Sequence, residues 1–401
     1  MKWEKVKLGN VTDSCLGKML DQNKNKGDYQ PYLANVNVRW GEFDLEDLPL
    51  MKFEESEQER YELKYGDLVI CEGGEPGRCA IWKEQIPNMK IQKALHRVRV
   101  HDCLDYRYLF YWFLLAGKTG ELDQYFTGAT IKHMPGQKLK EVVIDKPPLE
   151  IQHRIADILS AYDDLIENNQ KQIKLLEEAA QRLYKEWFVD LRFPGHENTK
   201  IVDGVPEGWR VASIADICDT VGGGTPSTKI QSYYEKGDIL WVTPTDITRN
   251  FSLALLDTEK KITPEGLKNS SAKMLPAETI LMTSRASVGF FGMCKYEVCT
   301  NQGFISCIPK RENLQMYLLF NLKSRVEEIR QKAGGSTYLE ISKTVFRELK
   351  IILPKDEVLA EYQKNVHDIF DEIYCRTEMI KSLVDMRNRV LPKLMSGEVE
   401  V

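Results

Sequence analysis

The sequence predicts a mixed α/β (α+β) protein written twice: two similar domains joined by two long antiparallel coiled-coil helices, a pseudo-two-fold internal repeat. Three observations carry this prediction. Short matches recur in the same order in both halves of the 401 residues, a heptad stripe runs through the middle, and a second stripe in register with it runs to the end.

The matches begin with Trp3 in MKWEKVKLGNV, which meets Trp209 in EGWRVASIADI at an offset of 206 residues. PYLANVNV and LWVTPTDI place Tyr32 against Trp241 at 209, and the turn-and-strand segments YGDLVI and PAETIL place Asp67 against Glu278 at 211. Gln92 in KIQKAL falls against Gln302 in TNQGFI at 210, and Tyr108-Leu109 against Tyr317-Leu318 at 209. TGAT at 127–130 meets GGST at 334–337, and Pro147 meets Pro354, both at 207. Each match is weak alone, but a common order with offsets drifting by a few residues is the signature of a tandem duplication.

Residues 155–188 read as one helix. Ile155, Leu159, Tyr162, Ile166, Asn169, Ile173, Leu176, Ala180, Leu183 and Trp187 step by four and three, the a/d pattern of a coiled coil. The same positions 207 residues later are Tyr362, Val366, Ile369, Ile373, Arg376, Ile380, Leu383, Arg387, Val390 and Leu394. A single stripe would fit a long core helix, whereas two in register, each following one copy of the domain, fit a helix pair. Pro147 and Pro148 punctuate the start of the first rod, where a missing N–H costs nothing. Connectivity makes the pair antiparallel and brings the chain ends together. The predicted layout is a domain over 1–148, a rod over 149–190, a linker over 191–208, a domain over 209–354 and a final rod and tail over 355–401. About 40 residues at ~1.5 Å each make a rod of roughly 60 Å, longer than the ~34 Å between same-face groove sites on DNA. Asn169 and Arg376 put polar groups mid-seam, which can fix register or simply leave a solvated gap.

Composition excludes more than it assigns. The net charge of −5 does not announce a nucleic-acid binder, because the distribution of basic residues matters more than their sum. Nine cysteines without a CxxC pair fit idle thiols in a reducing cytosol, and a cytoplasmic location is expected. MKWEKVKLGN lacks the apolar core of a signal peptide, and YLFYWFLLAG at 108–117 is a core helix too short to span a bilayer. AGKTG at 116–120 has Trp112 where a phosphate loop needs glycine, and DKPPL at 145–149 has Lys146 and Leu149 at positions that break an adenine-methyltransferase motif. CEGGEPGRC and VGGGTPSTK lack GxGxxG order and read equally as turns or as loops approaching a phosphate backbone. With six dispersed histidines, no acid, base, nucleophile or metal-ligand set is found in the sequence.

PPLEIQHRIADILSAYDDLIENNQKQIKLLEEAAQRLYKEWFVDLRFPG, the opening VPEGWR, the loop GGGTPSTK and the ending LPKLMSGEVEV together resemble the specificity subunit of a Type I restriction-modification system. The resemblance covers essentially the whole chain and is most specific in the rods. It implies a non-catalytic reader of double-stranded DNA, with two target recognition domains each reading half of a split asymmetric site and a helical pair setting the unread gap. It further implies docking of two modification (methyltransferase) subunits carrying S-adenosylmethionine, and restriction subunits adding ATP- and Mg-dependent translocation and cleavage in a complete system. No cofactor is expected on this chain. The rival reading is a scaffold whose coiled coil links two protein-binding domains.

Given that resemblance, polar and basic loop residues are the candidate DNA contacts, since phosphates attract cations and small donors while base edges attract bidentate Arg, Gln or Asn. In the first domain these are Lys18, Lys24, Lys26, Arg78, Lys90, Gln92, Lys93, Thr130 and Lys132. In the second they are Thr225, Ser227, Lys229, Ser284, Arg285, Asn301, Gln302, Ser336 and Thr337. Taken singly, each of them fits a solvated surface better; matching places in the two halves favour Gln92 with Gln302 and Thr130 with Thr337. Tyr162, Tyr184, Trp187 and Phe188 are candidates to anchor the modification subunits, although Trp187, on the seam, is better explained by packing.

Overall fold

The computed structural model describes residues 3–19, 21, 25–335 and 338–401. Packing divides the chain into two compact units, residues 1–165 with 383–401, and residues 166–382. Each unit therefore holds one domain and a stretch of both rods.

Unit 1 opens with β1 (Glu4–Lys7) and β2 (Thr12–Leu16), followed by β3 (Asp28–Leu33), β4 (Leu50–Phe53), β5 (Leu68–Cys71), β6 (Cys79–Ile81), β7 (Lys90–Ile91), β8 (Leu95–Val100) and β9 (Val143–Lys146). An antiparallel sheet has the order β2-β8-β5-β6, a second has β4-β3-β7 with β3 and β7 parallel, and β1 pairs with β9. The linker forms a small hairpin, β10 (Ile201–Val202) with β11 (Val205–Pro206). Unit 2 then repeats the plan in β12 (Arg210–Ser213), β13 (Cys218–Gly222), β14 (Ile239–Val242), β15 (Lys261–Ile262), β16 (Ile280–Thr283), β17 (Phe291–Gly292), β18 (Cys299–Thr300), β19 (Phe304–Pro309) and β20 (Lys350–Leu353). Its sheets are β13-β19-β16-β17, β15-β14-β18 with β14 and β18 parallel, and β12-β20. The mixed α/β duplication expected from the sequence is present strand for strand.

Backbone bonds correct two of the sequence offsets. Gly66 N–H donates to Trp82 and Glu278 N–H to Cys294, so Glu278 answers Gly66 and not Asp67. Gln92 N–H donates to Leu33 and Asn301 N–H to Val242, so Gln92 answers Asn301 and Gln302 answers Lys93. Side-chain likeness drew both expected pairings one residue off the register that the ladder imposes.

In unit 1 the aromatic helix Tyr106–Thr119 is capped by Asp105, whose carboxylate accepts from the N–H groups of Arg107 and Tyr108, and it ends at Gly120 with φ of +75°. Tyr108 through Leu114 are all buried, so this helix forms the centre of the core. Its counterpart Gln315–Ser324 is buried from Met316 to Leu322. Tyr108 donates its hydroxyl to the carbonyl of Asp145 at 2.7 Å, and Tyr317 likewise donates to the carbonyl of Ile352, tying each helix to the last strand of its domain.

The first rod is an α-helix over Leu149–Tyr184 that widens into a π-turn at Lys185–Val189; the second is an α-helix over Asp356–Met395. None of the seam positions named above is exposed. In unit 1, Ile155 and Leu159 share a core with Leu391, Leu394 and Met395, an antiparallel pairing, and Trp3 lies beside Gly397 near the C-terminus. Asp163 accepts from the Tyr111 hydroxyl at 2.6 Å and from the Arg387 guanidinium. In unit 2, Arg376 donates to Asn169 Oδ1 at 3.1 Å, so the two mid-seam polar residues bond each other. Three of the four expected partner anchors pack inside unit 2. Tyr184 bonds Asn321 at 2.8 Å, and Phe188 packs 4.7 Å from Tyr317 and 4.9 Å from Tyr362. Trp187 lies 5.8 Å from Tyr362. Tyr162 is half-buried.

Candidate nucleic-acid interface

Four loops are stitched together at one end of the strands of the main sheet in each unit. In unit 2, Gly224 N–H donates to Thr300, joining the loop after β13 to the loop before β19. The Thr225 hydroxyl donates to the Gln302 amide oxygen, and Asn301 Oδ1 accepts from Gly303 N–H at 2.8 Å. Ser284 N–H donates to Gly303, drawing in the loop after β16, and Arg285 bridges to Glu340 of the fourth loop, itself closed on Gly334. Unit 1 repeats the stitching: Lys18 N–H to Ile91, Glu72 N–H to Ala94, and His133 bridged to both Gly73 and Thr127.

The fourth loop depends on glycine in both copies. Gly128 and Gly335 have φ of +92° and +130°, and a Cβ there would lie 2.2 Å from the carbonyl oxygen of Ile131 and 2.1 Å from that of Tyr338. A left-handed glycine allows the loop to fold back this tightly.

Two candidate contacts are turned inward. Lys18 is 3% exposed, and its ammonium is held by the Lys52 carbonyl and the Glu57 carboxylate over the Phe53 ring. Lys90 is fully buried, 3.4 Å from Glu62 and bonded to the Asn88 carbonyl. Burial pulls the Lys90 ammonium below the usual lysine range, and Glu62 opposes that shift. Neither reaches a phosphate, so both are corrected from DNA contacts to structural ion pairs. Ser284 is buried as well and acts through its backbone. Arg78 is half-buried, donating to Glu75 at 3.1 Å and to Asn35 Oδ1 at 3.2 Å, and so braces its loop.

The remaining candidates face outward or lie half-buried. Lys26, Lys93, Thr130, Lys132, Thr225, Ser227, Lys229, Arg285 and Gln302 are exposed, while Gln92 and Asn301 are half-buried. Lys132 lies 3.5 Å from Asp123. Lys24, Ser336 and Thr337 lie outside the described residues. In unit 1 a groove of about 500 Å³ opens between Trp40, Glu75, Phe126, Thr130 and Lys132. Several residues of this surface escape a composition-based reading: Asn35, which donates to Gly73 at 2.7 Å, and the apolar residues Ile131, Tyr338 and Leu339. An apolar residue three positions after a turn glycine in both halves is the signal that would have found Ile131 and Tyr338.

Elsewhere in unit 2, Glu278, His367 and Asp371 bring potential ligand atoms within 4.8 Å of one another. His367 reaches Glu278 at 3.0 Å and Lys295 reaches Asp371 at 2.6 Å, so a lysine ammonium already supplies a cation to this clasp between the turn before β16 and the second rod.

The same loop scaffold thus occurs twice with different exposed side chains. A family model, the Type I restriction modification DNA specificity domain, matches the chain twice, over residues 1–178 and 206–384. The chain belongs to that family. This specificity subunit serves DNA sequence recognition in a Type I restriction-modification system. It is 38% identical over 173 residues to the MjaIX specificity subunit of Methanocaldococcus jannaschii, a match spanning 42% of this chain and 39% of that protein. Against the HindI specificity subunit of Haemophilus influenzae it is 23% identical, with 99% of each chain covered. The crystal structure of a Type I restriction-modification S subunit from M. genitalium shares the fold, with 17% identity, a TM-score of 0.58 and coverage of 98% and 96%. The scaffold reading gives way to DNA recognition. Among the described residues no helix is long and apolar enough to cross a membrane.

Proposed function

We propose that this specificity subunit reads a split, asymmetric DNA site, one domain per half, and that its rods present docking surfaces for two methyltransferase subunits. The single observation that supports this most is the strand-for-strand repeat in which the four-loop end keeps its backbone bonds while exchanging its exposed side chains. Two equal scaffolds with unequal tips suit two unequal half-sites. The chain itself carries no catalytic group in this reading: S-adenosylmethionine, ATP and Mg belong to the modification and restriction subunits, and the work takes place in the cytoplasm. Phosphate contacts fall to exposed cations such as Lys26, Lys93, Lys132 and Lys229, which position the protein without carrying sequence information.

The test is co-expression with the neighbouring methyltransferase subunit in a methylation-free host, followed by single-molecule mapping of N6-methyladenine. A two-part motif with a fixed unread gap, present only with both chains, is expected. Methylation without this chain, or a single uninterrupted motif, would contradict the proposal.

A further inference from the structure

Where the two units share a loop scaffold, their differences isolate what each presents. Position 340 closes the fourth loop of unit 2 as His133 does in unit 1, and the residue bridged to it is Arg285 where unit 1 has Gly73. Unit 2 therefore carries a guanidinium at a place where unit 1 has no side chain. On its own loop and on the loop bridged to it, Tyr338, Leu339 and Phe290 are also exposed, Tyr338 to 59%.

The guanidinium is held but not satisfied. Arg285 Nε lies 3.7 Å from Glu340 Oε2, and both side chains are about half exposed, so the pair is worth little in water. Its partner restrains the guanidinium at the Nε side and, being anionic, discourages contact with the phosphate backbone. The backbone beneath is fixed: Ala286 sits at φ of +61°, unusual for a residue with a Cβ, and its N–H donates to Leu339 at 2.8 Å.

We infer that Arg285, positioned by Glu340, reads a guanine in the half-site assigned to unit 2, with Tyr338 covering the neighbouring step. A fork of parallel N–H donors matches the O6 and N7 acceptors that guanine shows in the major groove, a match lysine cannot reproduce. Unit 1, with Gly73 and His133 at the equivalent places, does not use this contact. The inference rests on the split-site reading above.

The experiment uses the full chain complexed with its methyltransferase subunit and DNA duplexes in which each base pair of the wild-type motif is changed in turn. Arg285→Ala and Arg285→Lys should both abolish the preference at one G·C pair, lowering affinity for the cognate duplex roughly 10- to 100-fold. The remaining positions and the other half-site keep their preferences. Glu340→Gln should raise binding to unrelated DNA and steepen its salt dependence by about one counterion. A uniform loss across all sequences with Arg285→Ala, restored by Arg285→Lys, would make the residue a phosphate contact and overturn the inference. So would unchanged preferences in all three variants. A wild-type complex that shows no two-part motif would fail the underlying reading, and the inference with it.

Discussion

The buried interiors of the two units and their loop tips obey different rules. Inside, Tyr108 and Tyr317 make the same hydroxyl-to-carbonyl bond to the last strand of their domains. At the tips, Gly73 and His133 in unit 1 become Arg285 and Glu340 in unit 2 on an unchanged backbone frame. A third class lies between: Lys90 and His96 are buried in unit 1, while their ladder equivalents in unit 2 are the buried apolar residues Cys299 and Ile305. Core positions conserve geometry because a lost bond or cavity is costly; tips vary because solvent tolerates them. Lys90 and His96 are tolerated in the interior of unit 1 because each has a partner, Glu62 and the Met134 carbonyl.

The largest expected effect tests the shared interior. Tyr108→Ala and Tyr317→Ala should each destabilise their own unit by roughly 4 kcal/mol, the range for truncating a large buried ring. Hydrogen exchange resolved by unit would read this, and unequal costs would break the equivalence. Next, Glu62→Ala should cost unit 1 about 2 kcal/mol by leaving the Lys90 ammonium buried beside an absent partner, whereas Lys90→Met, imitating the apolar site of unit 2, should be neutral or stabilising in urea unfolding. Neither change should alter the DNA motif; a motif change with Lys90→Met would return that residue to the interface.

A pH effect should separate the units. His96 is buried with Nε2 3.0 Å from the Met134 carbonyl, and burial lowers its pKa. The unfolded chain, with its histidine near 6.5, then binds a proton that the folded unit refuses. Stability present above pH 6.5 is lost from unit 1 as pH falls below it, and His96→Leu should remove that dependence. Unit 2, with Ile305 there, should not show it; an equal acid loss in both units would assign the effect elsewhere. The smallest change is Lys132→Ala, within 0.5 kcal/mol in stability because its ion pair is exposed, with a shallower salt slope for DNA of about one counterion and an unaltered motif.

Much of the architecture was legible because it repeats. Heptads 207 residues apart and matched turns need no tertiary information, and the mid-seam pair Asn169 and Arg376 meets at 3.1 Å. The one-residue slips at Glu278 and Gln302 arose because composition aligns like with like, whereas strands align by hydrogen bonds. Lys18 and Lys90 were read as surface cations because a two-residue strand such as β7 offers no alternation from which to infer direction, and a buried lysine is rare without a partner that only the fold supplies. The pairing of Arg285 with Glu340, 55 residues apart in sequence, needed the fourth loop to close.

The central claim is that two copies of one scaffold read DNA independently. Replacing residues 206–354 with the equivalent domain of another specificity subunit, and mapping N6-methyladenine in cells that also make the methyltransferase subunit, tests it most directly. The prediction is a motif with one half exchanged, the other half intact and the gap unchanged. A motif altered in both halves would contradict independent reading.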